Sequence, residues 1–262
     1  MPVALTEDDL YRLFLTKYGA PETTGWSPRQ RLRFGYYQPS DHYEAIVEKF
    51  VTSGTRWVDV GGGRAIFPDN EKLSQELAQR CAKFVAVDPS ANVHEHPYAH
   101  ERHQLLFEEF ETEDRFDLAT LRMVAEHVVN PDVLLAKLAH LMTPGGTVII
   151  YTINKLSPVP IITYLTPFSM HFRMKKLIWG GGEEKDTFPV AYKMNTRKKL
   201  LRQFSRHGFL ETDFFYLDDL SVFSNFKLLN YGELVLWKCL NSVGITYPEN
   251  NLLGIYRSTR GG

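Results

Sequence analysis

A short apolar run, Trp57 to Val60, ends on three consecutive glycines, Gly61, Gly62 and Gly63. Arg64-Ala65-Ile66-Phe67-Pro68 follows before a helical pattern resumes. No other feature of the chain restricts its fold as much. Glycine carries no Cβ, so such a run permits a tight turn and a close approach of backbone to a ligand. Between a strand and a helix, that turn is the ligand-side loop of a βαβ unit. A strand connected in this way requires a parallel neighbour, and parallel sheets require helices on both faces.

The rest of the chain supplies both. Residues 68–82 read as a helix with Leu73, Leu77 and Cys81 on one face. Residues 84–87 read as a strand ending at Asp88, 104–107 as a weaker strand and 116–121 as another. A helix over 131–141 has Pro131 in its first turn. The turn Pro144-Gly145-Gly146 precedes TVIIYTI, apolar enough for a strand buried on both faces. A helix over 196–207 is closed by Gly208, and strands follow at 209–216 and 252–257. Strands alternating with helices predict right-handed βαβ units around a mostly parallel sheet. Helices at 7–18, with Leu10, Phe14, Leu15 and Tyr18 at helical spacing, and at 41–50 come first. The expected division is therefore a helical cap, 1–50, and an α/β domain, 51–262. Residues 156–194 break the rhythm directly after a strand and are rich in proline and aromatics. They are expected to form a lid insertion over the carboxyl edge of the sheet.

Charge and cysteine usage narrow the function. The net charge of −1 predicts no nucleic-acid partner. Cys81 and Cys239 make neither a disulfide framework nor a zinc pattern, and both are expected as buried thiols in helical runs. No run has the length and apolarity of a signal peptide or membrane span, so the expected location is the cytoplasm. HEHPYAHERH, 94–103, lacks convergent metal ligands and reads as a surface loop or helix.

The glycines suit several ligands. A dinucleotide fingerprint wants a third glycine, and Ile66 follows Gly61 and Gly63 instead. Pro68 and Asp69 would put an acid where phosphate charge belongs at the helix start. No Gly-Lys-Ser/Thr follows, so a P-loop is excluded. A ligand without phosphate, S-adenosylmethionine (SAM), fits better. It carries a sulfonium, an α-amino group, a ribose diol and adenine. Asp59 lies before the glycines for the cationic end, and Asp88 ends the next strand for the diol.

VDVGGGRA (58–65), FVAVDPS (84–90), FEEF (107–110), FDLATLRMVAEHVVNP (116–131) and LMTPGGTVIIYTIN (141–154) follow in order. In that order and spacing the chain resembles the class I SAM-dependent methyltransferases, with a core like the ubiquinone and menaquinone methyltransferases, over about residues 56–257. The resemblance implies a Rossmann-like, seven-stranded, mostly parallel sheet flanked by helices, with SAM as cofactor and S-adenosylhomocysteine (SAH) as product. It implies Gly61, Gly62 and Gly63 at the methionine part, Asp88 and Pro89 at the ribose, and Phe107 and Glu108 at the adenine. Met123 occupies a position where metal-dependent relatives carry an acid, so it falls to the cofactor side and no metal is expected. The acceptor implied is a small molecule, most often a hydroxyl compound, with His127 as the candidate general base. On the acceptor side the candidates are Arg33, Tyr36, Tyr37, Tyr192 and Asn195. Residues 169–179 place Met170, Met174, Leu177 and Ile178 on one helical face and His171, Arg173, Lys175 and Lys176 on the other. That pattern suits a lid helix with a solvated basic face, an anionic or lipid-like acceptor, or a peripheral membrane contact. Two rival readings stand: a protein of this fold that binds SAM or SAH without methylating, and a nicotinamide oxidoreductase.

Overall fold

The computed structural model describes residues 3–158, 189–221, 223 and 226–259. Helix α1 (Glu7–Tyr18) begins at Thr6, whose hydroxyl accepts the Asp9 N–H while the Asp9 carboxylate accepts the Thr6 N–H. Helix α2 (Trp26–Phe34) lies between the two helices expected in the cap. Its Pro28 lies in the first turn, where a missing N–H costs nothing, and Gly35 closes it at φ 71°. Helix α3 (Pro39–Phe50) starts two residues earlier than expected, because the Asp41 carboxylate accepts the Gln38 N–H.

The α/β part runs β1 (Arg56–Val60), α4 (Glu71–Arg80), β2 (Lys83–Val87), β3 (Glu101–His103), β4 (Phe116–Arg122), α5 (Pro131–Leu141) and β5 (Met142–Ile153). It continues with α6 (Arg197–Arg206), β6 (Phe209–Leu217), α7 (Lys227–Ser242) and β7 (Asn251–Ser258). The sheet has the order β3-β2-β1-β4-β5-β7-β6, with β7 antiparallel to both neighbours and every other pair parallel. This is the Rossmann-like, seven-stranded arrangement that the sequence implies.

Side chains alternate across the sheet with the period of two that a strand dictates. Trp57, Phe84 and Leu118 face a core shared with Leu13 of α1, Ile46 and Val47 of α3, and Leu73 and Leu77 of α4. Val58, Val85 and Ala119 face the other core, shared with Leu135 and Leu138 of α5 and Leu200 and Phe204 of α6. Helices α1 and α3 thus cover one face of the sheet.

Four local expectations are corrected. Helix α4 begins at Glu71, not 68, because the Asn70 carboxamide accepts the Leu73 N–H. The third strand lies at Glu101–His103, and Phe107–Glu109 is a 3-10 turn. An edge strand with one partner carries little apolar pattern, so the sequence marked it poorly. In the histidine-rich stretch His96 is buried, its Nδ1 accepting the N–H groups of Tyr98 and Ala99, and His100 Nδ1 accepts the Phe84 N–H. Cys81 is buried but Cys239 is exposed on α7. Of the predicted lid, residues 159–188 lie outside the described residues. No helix among the described residues is long and apolar enough to cross a membrane.

Candidate active site

From β1 the chain builds outward through β2 to β3, then returns to place β4 on the other side of β1. At such a switch point the loops diverge and a crevice opens outside the carboxyl ends of the strands. A cavity of about 560 Å³ occupies that position.

Its floor is the glycine turn. Gly61 has φ 71° and donates its N–H to the Val87 carbonyl at 2.8 Å. A Cβ there would lie 2.3 Å from Cγ2 of Val124, so the residue must be glycine for packing as well as for conformation. Gly63, at φ 48°, donates its N–H to Asp88 Oδ2 at 3.0 Å, and Ser90 donates to Asp88 Oδ1 at 2.7 Å. The Asp88 carboxylate is thus fixed through both oxygens, each of which retains acceptor capacity. Pro89 follows it in the wall.

The far end of the cavity is formed by Leu106, Phe107 and Glu108. Phe107 is buried, with its ring 6.2 Å from that of Phe110. The turn after β4 supplies Met123, Val124 and His127. Two carboxylates, Asp88 and Glu108, line the cavity, and no Lys or Arg does so among the described residues. A diphosphate would find no cation here, whereas a ligand with a positive charge, a diol and an aromatic base finds complementary groups. This replaces the sequence argument from Pro68 and Asp69, neither of which lines the cavity.

Two of the named cofactor residues stand behind the wall. Asp59 is buried and accepts the Thr120 hydroxyl at 2.6 Å, while Trp57 Nε1 donates to the same hydroxyl at 2.7 Å. Burial pushes the Asp59 carboxyl up to about 7, against the lowering effect of the Thr120 bond. Gly62 packs beside it, where a Cβ would meet Ala86 Cβ and Asp59 Oδ2 at 3.2 Å each.

His127 lies on the cavity, its Nδ1 3.1 Å from the Pro189 carbonyl. A carbonyl only accepts, so Nδ1 is the donor in this contact. A buried relay holds this turn. Asn195 Nδ2 donates to Thr152 Oγ1 at 2.7 Å, and Thr152 donates to Glu126 Oε2 at 2.8 Å. The Glu126 carbonyl in turn accepts the N–H groups of Ala191 and Tyr192. Asn195 is therefore a buried scaffold residue beside the site, and Tyr192, at φ 49°, lies half-buried next to the same turn.

The remaining acceptor candidates lie elsewhere. Tyr36 is buried, its hydroxyl donating to the Asp218 carbonyl at 2.9 Å and accepting the Leu220 N–H at 3.0 Å. Tyr36 and Tyr37 line a second cavity of about 250 Å³ with His42, Asp218 and Trp237, which shares no lining residue with the first. Arg33 is exposed on α2 and lines neither. The sequence reading missed Val124, Val128 and Asn130, which line the larger cavity. They sit in a turn without periodicity, and the one signal present, the AEHVVNP stretch after an apolar strand, drew notice only for its histidine.

A family model described as a methyltransferase domain matches residues 29–210. Among curated proteins, the chain is 31% identical over 111 residues to a ubiquinone biosynthesis O-methyltransferase of Rhodopseudomonas palustris, covering 39% of this chain and 41% of that one. It is 25% identical over 162 residues to the protein of the same name from Coxiella burnetii, covering 58% and 67%. The chain thus spans about two fifths of the length of the first relative and two thirds of the second. Among solved structures, an S-adenosylmethionine-dependent methyltransferase from Mesorhizobium loti superposes with a TM-score of 0.54 at 16% identity, covering 84% of this chain and 97% of that one. That likeness speaks for the fold.

Proposed function

The chain belongs to the class I SAM-dependent methyltransferases, and on that premise we propose that it methylates a hydroxyl oxygen of a small-molecule acceptor, with His127 as general base. The observation that carries the reading is the place of His127, in the turn after β4 and on the wall of the cavity. The contact of its Nδ1 with the Pro189 carbonyl holds the ring there. The two curated relatives are themselves named as O-methyltransferases.

SAM, when bound, supplies a methyl group on a cationic sulfur. In this reading the Asp88 carboxylate receives the ribose hydroxyls, and Phe107, Leu106 and Glu108 enclose the adenine. The turn at Gly61 and Gly63 leaves room for the methionine part because neither residue carries a side chain. The residues of the turn after β4 set the acceptor hydroxyl against the methyl donor, and His127 takes the hydroxyl proton as the C–O bond forms. The relay from Asn195 through Thr152 to Glu126 positions that turn.

The test combines calorimetry with turnover of radiolabelled SAM on a panel of phenols and catechols. SAH binds and NADH does not. His127→Gln lowers kcat by about 10²–10⁴-fold and leaves SAH affinity unchanged. A His127→Gln enzyme as fast as the wild type would overturn the assignment of the base. SAH binding with no methylation of any hydroxyl acceptor would favour the rival, a SAM-binding protein without transferase activity.

A further inference from the structure

Helix α7 buries Leu234 but also turns two polar residues inward and a stripe of apolar ones outward. A surface helix ordinarily turns its apolar stripe to the core and its polar face to water. Here Asn230 and Glu233 face inward, 1% and 6% exposed, while Leu228 is 89% exposed and Leu236 52%. Asn230 donates to the Leu220 carbonyl, and Glu233 accepts the Tyr247 hydroxyl. The inward polar face is thus specifically bonded, which fixes the rotation of the helix. At 3.6 residues per turn, Leu228, Tyr231, Val235, Leu236 and Val243 fall within an arc of about 140°. All of them are exposed, as is Ile245 just after the helix.

The charges beside this stripe have one sign. Glu233 is the only acid in α7, and it is buried. The exposed charges of the helix are Lys227 and Lys238. Helix α2 packs alongside, with Phe34 edge-on to Tyr231 at 5.5 Å, Tyr36 edge-on to Trp237 at 5.2 Å and Lys238 Nζ donating to the Phe34 carbonyl. It carries no acid and exposes Arg29 and Arg33. The two helices together therefore carry an exposed apolar stripe, four exposed cations and no exposed carboxylate.

We propose that α2 and α7 together form a docking surface for an anionic lipid bilayer. Leucines and aromatics at an interface with lysine and arginine around them are what an interfacial helix requires: the apolar arc enters the headgroup boundary and the cations meet lipid phosphates. A self-associating face would place these like charges opposite one another, which the one-signed pattern disfavours. The surface is separate from the cofactor cavity, so the proposal stands or falls independently of the catalytic assignment.

The test is sedimentation of the full chain with vesicles of phosphatidylcholine, with and without phosphatidylglycerol, alongside sedimentation equilibrium without lipid. The wild type binds the vesicles containing phosphatidylglycerol, and added salt weakens the binding. Leu228→Glu with Leu236→Glu lowers the affinity more than tenfold while SAH binding and the melting temperature hold, since both side chains are exposed. Arg33→Gln and Lys227→Gln each cost about fivefold, the value of one cation near an anionic surface. No vesicle binding by the wild type, equal binding to uncharged vesicles, or full binding by the leucine variant would each overturn the proposal. So would a dimer that the leucine variant dissolves in the absence of any lipid affinity, which would assign the face to a second copy of the chain.

Discussion

Asp59 and Asp88 end neighbouring strands, yet their surroundings give them different work. Asp88 sits on the cavity with both oxygens fixed by backbone N–H groups. Asp59 lies one layer behind, buried on Thr120, with its carboxyl raised to about 7 by burial. In the unfolded chain it returns to the ordinary carboxylate value near 3.8. The folded protein therefore holds a proton that the unfolded chain releases, and the stability this contributes is present below about pH 4 and lost as the pH rises through 7. Asp59→Asn keeps an oxygen for the Thr120 hydroxyl and removes the titration. Urea unfolding of the ligand-free protein should show a shallower loss of stability between about pH 4 and 7 in the variant than in the wild type. Identical slopes would show that Asp59 does not hold its proton. The two acids were visible in the sequence as strand-ending carboxylates. Which of them faces the ligand was not, because the register puts both on the same face of the sheet and only the turns beyond the strands set Asp88 on the cavity and Asp59 behind it.

The turn between β1 and α4 shows how an element can be constrained twice. Gly61 needs a left-handed backbone and also needs the space that Val124, from the turn after β4, fills. Gly61→Ala adds left-handed strain of roughly 1–2 kcal/mol and overpacking of roughly 1–3 kcal/mol. A fall of about 2–5 kcal/mol in denaturation free energy, with weakened SAH binding, is the expected outcome, and a variant of unchanged stability would remove the Val124 contact from the account. The first constraint was legible in the three glycines. The second was not, since Val124 lies far along the chain and only the pairing of β1 with β4 brings it over the turn. Helix α7 was illegible for a different reason. An apolar arc faces out while Asn230 and Glu233 face in beside Leu234, so a periodic pattern read on the usual assumption does not single out the core-facing side.

Across the molecule, the leading helices are joined to the α/β part by buried charge as well as by apolar contact. Lys17 of α1 is 1% exposed and donates to Asp41 at 3.0 Å and Glu44 at 2.7 Å, both on α3. Asn70, which caps α4, donates to the other oxygen of Glu44 at 2.9 Å. Removing the lysine leaves two buried carboxylates without their cation. Lys17→Met should destabilise the protein by about 3–5 kcal/mol, measured by chemical denaturation. A loss below 1 kcal/mol would mean that the carboxylates reach water. The sequence by itself determined the alternation of strands and helices, the glycine turn and the acids at the ends of β1 and β2, because these follow from local propensity and the period of a strand. Only the tertiary structure decided that α1 and α3 cover a face of the sheet, that Tyr36 and Arg33 stand away from the cofactor cavity, and that α7 turns Leu228 and Leu236 outward. Those outcomes depend on which distant surfaces meet, and a linear pattern of apolar and charged residues states what must be buried or paired without stating against what.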